Sequence, residues 1–163
     1  MSDPATWKAI AAIEERISRI ERWDTARIST GTWTPTFVGT TAAGTFTYTA
    51  ATSGTYIRID QYCIAVGRVG ITAITGAPTG SMRIGGLPFT VVNANRTGST
   101  SFAYISNFNY TAAALALTGL PNGSSTQIAL YESFDNAAAV TAPAANFTNV
   151  NCDLIFTCIF IIA

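Results

Sequence analysis

The chain contains no histidine, and only 11% of its 163 residues are charged, with a formal net charge of zero. Without imidazole, Ser-His and Cys-His nucleophilic sites and histidine-based metal sites are excluded. A protein that grips duplex DNA neutralises several phosphates with clustered Lys and Arg, yet beyond residue 30 the only cations are Arg58, Arg68, Arg83 and Arg96. Nucleic acid is therefore not an expected partner. Long apolar runs are missing as well: the longest, Leu154 to Ala163, is about half of the ~20 residues a membrane helix needs. It reads as a buried strand, and no membrane insertion is expected. The first 30 residues interleave isoleucine with Glu and Arg, unlike the apolar run of a signal peptide, so export is not expected either.

Cysteine is scarce. Cys63, Cys152 and Cys158 cannot all pair within one chain, and their spacings fit no zinc or redox pattern, so buried free thiols are expected, with no metal and no cofactor. Carboxylates are also few outside the first 30 residues: Asp60, Glu132, Asp135 and Asp153. A glycan-cleaving enzyme needs two of them roughly 5–10 Å apart. Glu132 and Asp135 are close in sequence, but they lie where a strand runs into an Asp-Asn turn, a place where Asp serves as a turn former. No phosphate loop or dinucleotide fingerprint occurs, since Gly85-Gly86-Leu-Pro88 reads as a turn. The inventory predicts a protein without catalytic residues, not an enzyme.

What the chain does have is apolar surface, 48% of its residues, which excludes a disordered polymer. Ten of the eighteen charged residues fall within the first 30 positions, so a boundary is expected near Gly31. Residues 1–30 form a helical attachment segment in this reading and residues 31–163 a head. Asp3 suits a helix cap and Pro4 the first helical position. Ile10, Ile13, Ile17 and Ile20 then recur at spacings of heptad a and d positions, which leaves Glu14 and Glu21 at e and Arg16 at g. Ile at both a and d shifts preference from two strands towards three or four, and a homotrimeric coiled coil is the expectation. Two heptads are marginal alone, so the head must trimerise too or the helices must dock into another protein. Trp7 and Trp23, off the seam, are the attachment candidates.

From Gly31 onward, short apolar runs alternate with turn signals, as in an all-β sandwich or barrel. Strands are expected at Trp33 to Val38, Thr45 to Ala50, Tyr56 to Asp60, Tyr62 to Ile71, Met82 to Ile84, Phe89 to Asn93, Ser101 to Phe108, Ala114 to Thr118, Gln127 to Glu132 and Cys152 to Ile162. In the last of these, Leu154, Phe156, Cys158, Phe160 and Ile162 share one face, while Ile155, Ile159 and Ile161 share the other. Both faces want burial, and a single sandwich covers only one. Ile155, Ile159 and Ile161 are therefore expected at a subunit interface. Among the aromatic residues, Phe102 and Tyr104 are expected in the core, and Asn109 and Tyr110 are the candidates for receptor contact.

The stretches Gly31-Thr-Trp-Thr-Pro-Thr-Phe37, Gly54-Thr-Tyr-Ile-Arg-Ile-Asp60 and Arg83-Ile-Gly-Gly-Leu-Pro-Phe89, followed by Gln127-Ile-Ala-Leu-Tyr131, Ala145-Asn-Phe147 and a closing apolar strand, resemble the trimeric distal β-domains of tail fibres, tailspikes and head fibres of tailed bacteriophages. The resemblance spans Gly31 to Ala163. It implies a mainly β, jelly-roll-like sandwich, similar to tumour-necrosis-factor-like heads, with three copies around an axis. It further implies a virion protein made in the host cytoplasm: a short tail fibre that binds a host surface glycan or protein, or else a head fibre or capsid decoration protein, with a polysaccharide-degrading enzyme as a remote alternative. Another virion structural protein would hold the helix.

Overall fold

The computed structural model describes residues 3–93, 98–148 and 150–163, with side chains omitted for 22–27. Helix α1 spans Pro4–Arg27. Asp3 is in extended conformation and its carboxylate accepts the Ala5 N–H at 3.1 Å, satisfying one of the N–H groups that the first turn leaves unpaired. The chain passes directly from Arg27 into strand β1, Ile28–Trp33. Ten further strands follow: β2 Thr36–Gly39, β3 Thr45–Tyr48, β4 Ser53–Ile59, β5 Tyr62–Gly76, β6 Met82–Gly85, β7 Gly98–Ser106, β8 Ala114–Asn122, β9 Gln127–Phe134, β10 Ala137–Thr141 and β11 Asp153–Ile161.

These strands form one curled antiparallel sheet in the order β1-β4-β5-β11-β7-β8-β9-β6-β2, with β3 added to β5 and β10 to β9. The last strand is thus central: β11 pairs along its whole length with β5 on one side and β7 on the other. Its even-numbered residues Leu154, Phe156, Cys158 and Phe160 are buried, together with Cys63, Ala65 and Val69 of β5. Burying each large side chain of this kind stabilises the fold by about 1.5–3 kcal/mol. Ile84, Ile128, Leu130 and Phe37 close the core from the other half of the sheet.

Trp33 shows how local sequence makes this packing possible. Its ring meets Phe156 edge-on at 6.0 Å, and its Nε1 donates to the Val66 carbonyl at 3.2 Å. The space comes from two glycines: a Cβ on Gly54 would lie 2.3 Å from Trp33 Nε1, and one on Gly67 would lie 2.9 Å from both Trp33 and Phe156. Any side chain at either position displaces the indole.

Three strand expectations need correction. Trp33 to Val38 is two strands, because Pro35, buried and without an N–H, cannot serve a ladder. Phe89 to Asn93 is not a strand: the Val91 N–H goes to Ser125 and the Val92 N–H to Ile161, so the segment divides its hydrogen bonds between two neighbours. Strand β10 was not expected, since its Ala-rich sequence has weak strand preference; it forms by returning from β9 through Asn136 in left-handed conformation, φ 57°. The three cysteines are free and buried.

Candidate functional site

The most distinctive feature among the described residues is an apolar surface left uncovered. The register of β1, β4, β5 and β11 sets the outward residues in rows across the sheet. Ile28, Ile59, Tyr62 and Ile161 form the row nearest the helix, followed by Thr30, Ile57, Ile64 and Ile159. Thr32, Thr55, Val66 and Thr157 come third. In the fourth, Ser53, Arg68 and Ile155 are continued by Tyr104 of β7. The face therefore grades from aliphatic near the helix to polar away from it, where Arg68 makes two hydrogen bonds of 3.1 Å to the Asp153 carboxylate. That pairing holds the guanidinium pKa above its ordinary value.

Of the interface residues expected from sequence, Ile159 is 45% exposed, while Ile155 and Ile161 are half-buried on the same outer face. Ile28, Ile57, Ile59, Tyr62, Ile64 and Val66 share that outer face with them. The signal for these was present in Tyr62-Cys-Ile-Ala-Val66, which is apolar at both parities, and in the Ile57, Ile59 alternation. A shallow groove of about 460 Å³ runs along the face, lined by Thr30, Thr32, Thr55, Ile57, Ile64 and Val66.

The helix repeats the theme. Ile10, Ile13, Ile17 and Ile20 are all at least 40% exposed, so the stripe does not pack on its own head. Glu15 and Arg19 pair at 3.1 Å along the helix, off the stripe. Trp7 is exposed; the side chain of Trp23 lies outside the described residues.

At the end of the sheet away from the helix, the loop after β7 carries Asn109 and Tyr110. Asn109 Nδ2 donates to Thr148 Oγ1 at 2.8 Å. The Tyr110 ring lies 5.0 Å from that of Phe108, which in turn meets Phe147 at 4.9 Å. Burial, then the Glu132 and Cys152 charges, raise the Tyr110 phenol above its ordinary pKa. Glu132 is fully buried: its Oε1 accepts the Thr111 N–H at 3.0 Å and Asn146 Nδ2 at 3.3 Å, so it ties the Tyr110 loop to the 3-10 turn Ala144–Asn146. Asp135 is instead exposed beyond the end of β9. Phe102 packs towards the core, 6.0 Å from Phe156. Tyr104 does not: it is 50% exposed, because a bulge in β7 opposite Ile155 and Phe156 turns it to the outer face. Among the described residues no group of His, Cys, Asp or Glu could hold a metal ion, and no helix is long and apolar enough to cross a membrane.

No protein-family model matches the chain, and no curated protein matches it. Among solved structures, the chain is similar to the tailspike protein of Dettilon (gp208), with a TM-score of 0.68 at 16% sequence identity. The match covers 82% of this chain and 24% of that one, so the chain spans about a quarter of the tailspike's length. The shared feature is the fold: a β-rich domain also found within a phage tailspike.

Proposed function

We infer that the chain is a structural protein of a tailed-bacteriophage virion, a homotrimeric short tail fibre whose head binds the host surface and whose helix joins another virion protein. The observation that carries this reading is that two apolar surfaces are uncovered in one copy: the isoleucine stripe of α1 and the aliphatic rows of the outer sheet. Monomeric proteins rarely leave so large an apolar patch open. The trimer we propose has its threefold axis along the helix and past the rows of Ile28 and Ile159, so that each copy covers the apolar surfaces of the next. In parallel coils g and e′ residues face each other, which sets Arg16 of one copy near Glu21 of the next. The fold likeness to a phage tailspike supports the virion setting, and a trimeric jelly-roll-like head is the arrangement we propose.

Action by binding rather than catalysis is part of the same reading. Glu132 serves as an internal brace, and Asp135 lies near a hairpin turn. Sedimentation equilibrium tests the assembly: a trimer at micromolar concentration is expected, and a monomer sinks the interface reading. Gold-labelled antibody on particles tests the place, with label on tails expected. Label confined to capsids replaces the tail fibre by a head fibre or decoration protein.

A further inference from the structure

Strands β7 and β8 are neighbours in sequence and in the sheet, yet share little hydrogen-bonded ladder. Among the described residues their ladder is a single pair, Thr100 opposite Gly119, whereas β7 is laddered to β11 and β8 to β9 along most of their lengths. Beyond Thr100 the two strands part, leaving a cleft of about 440 Å³ lined by residues that include Ser101, Phe102, Ile105, Tyr110, Leu115 and Thr118. Strand edges carry unpaired N–H and C=O groups every second residue, a template for another strand.

Its position gives the cleft a direction. Gly98 opposes Phe160 at the helix-proximal end of the sheet and Ser106 opposes Asp153 at the far end, so the strands diverge towards the end opposite the attachment helix. Its rim is apolar and open, with Leu115 69% and Tyr110 39% exposed. The rim is also braced, because Glu132 holds the Thr111 N–H from inside. Among the described residues no charged or amide side chain lines the cleft; its polar side chains are the hydroxyls of Thr100, Ser101, Tyr110 and Thr118. These give a sugar no planar amide, carboxylate or guanidinium to grip it, whereas an extended peptide finds strand-edge backbone and pockets for alternate side chains.

We propose that the cleft between β7 and β8 docks an extended, uncharged peptide segment of a host-surface protein, which adds to the free edge of β7 under Tyr110 and Leu115. This rests on the receptor-binding reading and names its partner class as protein rather than glycan. The test pans a random octapeptide library on the full-length protein, with counter-selection on Leu115→Asp, an exposed change that leaves the core alone. The expected result is a family of uncharged, β-branched peptides that bind at least about tenfold more weakly to Leu115→Asp and Tyr110→Ala, both with unchanged oligomeric state and Leu115→Asp with unchanged Tm. No enriched family, or equal binding to the variants, overturns the proposal.

Adsorption of labelled protein to host cells separates this inference from the reading beneath it. Adsorption that the selected peptide competes, and that proteinase treatment of the cells removes, supports both. Adsorption abolished by periodate but resistant to proteinase overturns the peptide partner and leaves receptor binding standing. No adsorption at micromolar protein removes receptor binding and this inference with it.

Discussion

Strand β11 has two faces of almost equal apolar character and opposite fates. Leu154, Phe156, Cys158 and Phe160 are at most 1% exposed, whereas Ile159 on the other face is 45% exposed. Isoleucines dominate the outer side, with Thr157 and Asp153 among them, so both sides are largely apolar; what differs most is what the rest of the chain can supply. A curled sheet of this length has one interior, so the inner face is satisfied within a single copy and the outer face is not. One side of the strand is covered within a single copy, and the other is left uncovered.

The largest effect expected on the inner side is from Phe156→Ala. It removes the ring that Trp33 and Phe102 pack against and should cost about 3–5 kcal/mol, read as a lower denaturant midpoint. The outer side should respond in a different observable. Ile159→Glu combined with Val66→Glu places carboxylates in adjacent rows of the uncovered face, so the variant should stay folded with near-normal thermal stability while sedimenting as a monomer. Unfolding by this pair would erase the distinction between the faces, and an unchanged oligomer would move the interface elsewhere.

Much of this contrast was legible in the sequence, because period-two alternation reports directly on strand faces: Leu154 to Ile162 announced its two apolar sides. The wider outer surface was not, since rows such as Ile28, Ile59, Tyr62 and Ile161 exist only once register brings β1 and β11, distant in sequence, to either side of the β4–β5 hairpin. The placement of Tyr104 depended on a bulge, which leaves no reliable sequence mark. The role of Glu132 was hidden for a similar reason, as its partners Thr111 and Asn146 arrive from two separate loops. The helix was the most legible element, because its cap, its first-turn proline and its heptads are all local.

A smaller effect tests the inner face by pH. Burial, with the Asp153 charge adding to it, pushes the Cys152 thiol up to about 12. An unfolded chain releases that proton near ~8.5, so above this pH the native state holds a proton that the unfolded state has lost. Stability is then full below about pH 8 and falls as pH rises, by up to about 1.4 kcal/mol per pH unit from this group, until the native thiol titrates. Cys152→Ala should make the decline between about pH 9 and 11 shallower in chemical denaturation. An identical slope would mean that the thiol meets water more readily than its burial indicates.

The smallest effect expected is from removing α1, and it decides which uncovered surface leads. The cut belongs before Ile28, since a chain starting at Gly31 would lose half of β1 and its pairing with β4. Four isoleucines over two heptads make too short a seam to hold an assembly alone, while the sheet offers a broader aliphatic patch. The head from Ile28 onward should therefore remain trimeric in sedimentation equilibrium at micromolar concentration, and at most dissociate more readily on dilution. A monomeric head would reverse the ranking: the helices would then carry assembly, and the aliphatic rows would be a face that associates only once the helices have brought three copies together.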